Sequence, residues 1–111
     1  MSFSLRDSIV ADRDASVRAS SLLRLDAEGA RSLVAHVRDA VRDRSERVRE
    51  AAYVALARAE DEASLHLPWL SVRFDRSFRV RRAAVLYAAR VGRERALGLL
   101  AIATRDPFWR V

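Results

Sequence analysis

The apolar positions of this chain fall in a pattern that recurs. Val48, Ala51, Ala52, Ala55, Leu56 and Ala59 stand at i, i+3, i+4, i+7, i+8 and i+11, and Val80, Ala83, Ala84, Tyr87, Ala88 and Val91 repeat the spacing. Such spacing lays one apolar stripe along an α-helix. An earlier, degenerate copy reads Val17, Ser20, Ser21 and Leu25. The flanks are apolar at matching positions: Leu22 and Leu23, Tyr53 and Val54, Val85 and Leu86. We read them as contacts between consecutive copies, which leaves narrow wet ridges at Ala19, Glu50 and Arg82.

A second helix is predicted after each first one. In the first copy it runs from about Ala27 to Arg42, with Leu33, Val34, Val37 and Val41 inward. In the third it covers about Arg93 to Thr104, after a turn at Gly92, with Leu97, Leu100 and Ala103 inward. The middle one, about Glu62 to Phe74, contains Pro68. Proline fits only the first turn of a helix, so the regular part is expected from near Leu67. Ser4 to Ala11 reads as half a unit, whose Leu5, Ile9 and Val10 would cover the N-terminal face.

Each first helix opens with one motif. It reads Asp12-Arg13-Asp14-Ala15-Ser16-Val17-Arg18, then Asp43-Arg44-Ser45-Glu46-Arg47-Val48-Arg49, then Asp75-Arg76-Ser77-Phe78-Arg79-Val80-Arg81, and it starts again at Asp106-Pro107-Phe108-Trp109-Arg110-Val111. The valines are 31, 32 and 31 residues apart. A fixed period in this range marks a stack of helical repeats, which typically works by surface recognition. The expected fold is therefore all-α: one α-solenoid domain of about three helix pairs. Its parts are a capping helix (1–11), repeats at 12–42, 43–74 and 75–105, and a truncated start at 106–111.

The motif Asp-x-x-x-x-Val-Arg-x-Ala-Ala, followed by a helix with spaced aliphatics, resembles the short bacterial HEAT repeat, the type named after phycobilisome-lyase proteins. The resemblance covers about Asp12 to Val111 and is closest at Asp43, Val48, Arg49, Ala51, Ala52 and Leu56, and at Asp75, Val80, Arg81, Ala83 and Ala84. Ser20 and Ser21 replace the alanine pair in the first repeat. The resemblance implies a right-handed superhelix with first helices on the convex side and second helices on the concave side. It implies no single activity. Members are mostly protein-binding scaffolds, a few are chromophore lyases, and a related group comprises DNA glycosylases. It also implies that Asp12, Asp43, Asp75 and Asp106, with Arg18, Arg49 and Arg81, form a ladder of hydrogen bonds between repeats. Helix N-capping by these aspartates is expected beside it.

Composition narrows the field. Apart from His36 and His66 every basic residue is arginine, 21 in all, the net charge is +6, and Lys, Asn, Gln and Cys are absent. Codon usage in a GC-rich genome accounts for the arginine without any function. Its planar fork nonetheless suits carboxylates and phosphates. The lack of cysteine excludes disulfides and thiolate metal sites. No apolar run has the length of a membrane span. The N-terminus carries Arg6 and Asp7 inside its apolar stretch and lacks a signal-peptide layout. The expected protein is bacterial and cytoplasmic, with no membrane association.

Candidate chemistry is sparse. His36 precedes Asp39 by three residues and His66 follows Glu62 by four, but no third ligand stands at a metal-binding spacing. There is no nucleophile elbow and no glycine-rich phosphate loop. No catalytic residue, cofactor or metal is assigned. The acidic trio Glu60-Asp61-Glu62 sits in a loop, where solvation and helix N-terminal charge suffice as reasons. Partner binding is expected on the concave face, around His36, Asp39, Trp69, Val72, Arg73 and Ile102, with Leu99 beside them. Arg38, Arg42 and Arg105 would select an acidic protein. Trp69 and Phe74 serve equally well as fillers beneath the irregular middle repeat. A second reading is nucleic-acid binding along the same groove, or along the edge carrying Arg13, Arg44 and Arg76 with Arg47, Arg79 and Arg110. A lyase-like or glycosylase-like enzyme is a remote third. Phe108 and Trp109 either cap the C-terminal end, where Val85, Leu86 and Leu99 would lie open, or pair it with a second copy or another protein; a piece of a longer array is a further reading of the same end.

Overall fold

Capping chemistry starts the helices. A computed structural model of the protein describes residues 4–105. Ser4 opens α1 (Leu5–Ala11) by accepting from the Asp7 amide. Asp14 opens α2 (Ala15–Leu23) through the Ser16 amide, and Asp26 opens α3 (Ala27–Ser32) through that of Gly29. The chain continues through α4 (Val34–Ala40), α5 (Glu46–Ala59), α6 (Leu67–Phe74), α7 (Phe78–Gly92) and α8 (Leu97–Ala103). Single 3₁₀ turns lie at Glu62–Ser64 and Arg93–Ala96, and no strand occurs among the described residues. The protein is all-α.

The N-caps are Asp14, Ser45 and Ser77, not the motif aspartates as expected. Asp12, Asp43 and Asp75 each lie two residues earlier, where an Oδ1 atom accepts the amide of that cap residue at 2.8–2.9 Å. The aspartate folds the approach to the helix, and in Asp43 and Asp75 the carboxylate also accepts an arginine of the preceding unit.

Helices α2, α5 and α7 lie side by side, and α5 packs extensively on both neighbours. They run parallel. Arg49 near the start of α5 bonds Asp75 before α7, and Arg58 near the end of α5 donates to the carbonyls of Leu23 and Leu25 at the end of α2. The stripes of α5 and α7 are buried at every predicted position. Tyr53 and Tyr87 fill the space between these two helices, with ring centroids 5.8 Å apart. Burial pushes the Tyr53 hydroxyl up to about 12. That hydroxyl shares a hydrogen bond with Ser71, and the Tyr87 hydroxyl donates to the Asp61 carbonyl.

The shorter helices α1, α3–α4 and α6 each pack on the first-type helix that follows: α2, α5 and α7 respectively. Three expectations about them change. The predicted helix from Ala27 to Arg42 is two helices meeting at Leu33, where φ is −107° and ψ 21°, and both halves pack on α5. In α8 the inward residues are Leu99 and Ala103, after the buried Ala96 of the preceding turn, while Leu97 and Leu100 are exposed. The 3₁₀ turn before α8 winds three residues per turn and so resets its phase. In α2, Ala19 and Leu22 are buried whereas Val17 and Ser20 are exposed. Only the seven-residue α1 covers that end, where Ile9 is buried and Val10 is not. The middle second-type helix starts at Leu67 with Pro68 in its first turn, as its sequence requires.

Candidate functional site

The joints between successive units are built from arginine. Arg18 donates from Nε and Nη2 to the two carboxylate oxygens of Asp43, both at 3.0 Å, and from Nη1 to the carbonyl of Asp12 at 2.7 Å. Arg49 repeats the arrangement toward Asp75 at 2.8 and 3.1 Å and toward the carbonyl of Asp43 at 2.9 Å. Arg81 donates to the carbonyl of Asp75 at 2.9 Å. The Arg18 and Arg49 guanidiniums thus each hold their own unit and the next. Burial acts to raise the Asp43 carboxyl, but the hydrogen bonds from Arg18 and Ser45 outweigh it and hold the group below the usual range. These residues do structural work and are withdrawn from ligand binding.

Arg38 belongs to the joints as well. Its Nε and Nη2 grip the Asp61 carboxylate at 3.0 and 2.8 Å, and Nε also meets Ser64 Oγ at 2.6 Å. Ser64 is fully buried and donates to Asp61. Burial would raise the Asp61 carboxyl, yet the bonds from Arg38 and Ser64 hold it low. Arg38 is therefore committed to its own chain, and the acidic loop is a partner of α4 as well as a solvated turn. Val72, also assigned to partner binding, is 6% exposed and sits in the core. Leu99, placed beside the same surface, is fully buried.

The remaining predicted residues divide. Asp39, Arg42, Arg73 and Arg105 are exposed, and Ile102 is partly covered. His36 accepts a hydrogen bond at Nε2 from Arg6 Nε, 3.2 Å away, which ties α1 to α4. Trp69 is partly buried and packs against α8, so close to Gly98 that a Cβ there would lie 2.9 Å from Trp69 Cη2. That placement serves the filler reading of Trp69. Phe74 differs: it is 75% exposed, with Leu70 one turn earlier on the same helix and also exposed. Leu97 on α8 is 65% exposed. The sequence marked α6 as apolar all round but gave no means of telling its outer residues, Leu70 and Phe74, from Trp69 and Val72.

A pocket of about 310 Å³ opens between α6 and α8, lined by His66, Trp69, Arg95 and apolar side chains. Arg95 leans toward Glu62 at 3.5 Å. Among the described residues no three His, Asp or Glu side chains gather as metal ligands, and no helix is long and apolar enough to cross a membrane. The chain matches no protein-family model, no curated protein and no solved structure. Phe108 and Trp109 lie outside the described residues.

Proposed function

We propose that the protein is a short HEAT-like solenoid acting as a non-catalytic binding module for an acidic protein. The two parallel layers and the recurring Arg–Asp joints support the repeat architecture. The observation that carries the function is the outer surface of α6 and α8. Leu70, Phe74 and Leu97 stand exposed on these helices, and the exposed Arg42, Arg73 and Arg105, at the ends of the second-type helices, make no ion pair among the described residues. Exposed aliphatic and aromatic groups with flanking arginines are the composition of a protein-recognition surface. With Arg38 committed to Asp61 and Arg95 leaning toward Glu62, Arg42, Arg73 and Arg105 are left without an ion pair among the described residues, few for tracking a phosphate backbone.

The test is photo-crosslinking in cells of the source organism, with a benzoylphenylalanine at Phe74 and, for comparison, at exposed Ala89 on α7. A protein adduct specific to position 74, lost when Arg73 and Arg105 are changed to Glu, is the expected result. Equal labelling at both positions, or adducts to nucleic acid alone, would sink the reading.

A further inference from the structure

The opposite surface, formed by α2, α5 and α7, carries a denser charge. Two grooves run along it, of about 450 Å³ between α2 and α5 and about 390 Å³ between α5 and α7. Glu50, Val54 and Arg79 line both, so the two lie directly beside each other. Arg47, Arg58, Arg79, Arg82 and Arg90 border them, against the single carboxylate of Glu50. Arg47, Arg79, Arg82 and Arg90 make no ion pair among the described residues. Their placement follows from the repeat. Arg79 occupies the position of Arg47 one unit on, and Arg90 that of Arg58. On parallel helices these form two rows, one near the helix starts and one 11 residues later, about 16 Å along the axis. Between the rows the floor is apolar: Val54 and Ala57 from α5, and Leu86, 56% exposed, from α7.

An apolar floor between cationic rows selects its occupant. A phosphate backbone would satisfy the rows and leave the floor in contact with water. A bilayer is too broad to enter a groove between adjacent helices. A helix with one aliphatic stripe and acidic flanks satisfies both features, and three turns of it span the rows. We infer that this groove is a second docking surface, on the other side from the proposed concave site, for an acidic amphipathic helix of a partner protein.

The probe is a fluorescein-labelled synthetic helix of about four turns, with leucines on one face and glutamates along both flanks. Anisotropy is read against the full-length protein in low and high salt. Its counterparts are the same peptide with Gln for Glu, a duplex oligonucleotide, and phosphatidylcholine vesicles with about one-third phosphatidylglycerol. The acidic peptide is expected to bind at low salt and weaken as salt rises. The R79E/R82E double variant should weaken it at least about ten-fold, Leu86→Ser several-fold, and Arg73→Glu on the other surface not at all. The changed side chains are exposed, and circular dichroism verifies that each variant keeps its helices. The inference is overturned if the peptide fails to bind at low salt, if the Gln peptide binds equally, if R79E/R82E leaves binding intact, or if the oligonucleotide or the vesicles bind more tightly than the peptide.

Discussion

At the scale of single residues, the polar side chains buried between units set the response to acid. Asp43 and Asp61 titrate below their ordinary value of 3.8, because arginine hydrogen bonds outweigh the cost of burial. A carboxyl depressed in the folded protein contributes stability that is complete above 3.8 and drains away as pH falls through the lower folded value. Urea unfolding followed from about pH 6 to pH 2 should therefore show a loss on the acid side. Asp43→Asn should begin about 1–3 kcal/mol less stable, since a bidentate charged pair is broken, and converge on the parent in acid. Parallel acid limbs for the two proteins would show that the pair does not titrate this way. Of these two pairs the sequence disclosed only one. Arg18–Asp43 lies in the recurring motif, whose resemblance to the HEAT repeat implied a ladder, whereas Arg38–Asp61 occurs once and leaves no period to detect. The same isolation led Arg38 to be taken for a ligand-binding residue.

At the scale of helices, phase is what sequence reading handled least well. The stripes of α5 and α7 were legible because long helices, buried along one face, impose a strict period. Short helices preceded by 3₁₀ turns inherit their rotation from the turn, so the inward side of α8 fell to Leu99 and not to Leu97 and Leu100. The contact between α6 and α8 makes this phase testable. Gly98→Ala would ordinarily favour a helix by about 1 kcal/mol. Here the added methyl meets Trp69 at 2.9 Å, and overpacking costs about 1–3 kcal/mol. A net loss of stability is expected in the parent chain and a gain in a Trp69→Leu background, both read from thermal melts. The same sign in both backgrounds would show that Trp69 does not set the limit.

At the scale of the whole molecule, equivalent residues are not equivalent in cost. The described chain is elongated, 48 × 24 × 21 Å, and its first unit has a neighbour of full length on one side alone. Val17, Val48 and Val80 hold one motif position, yet Val17 is 36% exposed while the other two are fully buried. Val48→Ala and Val80→Ala should each cost about 2 kcal/mol or more, and Val17→Ala less than about 1. Urea denaturation of the three variants checks this, and equal costs would mean that the N-terminal end is covered in solution. Burial of this kind follows from neighbours and not from the motif, which is why the sequence treated the three valines alike. The arginine joints have a consequence for how such a chain changes over time. The first and second units each reach forward with a guanidinium to the carboxylate at the leading edge of the next, like bricks joined by peg and socket. The peg fixes the pitch by its own rigid dimensions, leaving the mortar free to vary. Positions on the apolar stripe can then differ between units, as Ser20–Ser21 does from Ala51–Ala52 and Ala83–Ala84, while the courses stay aligned.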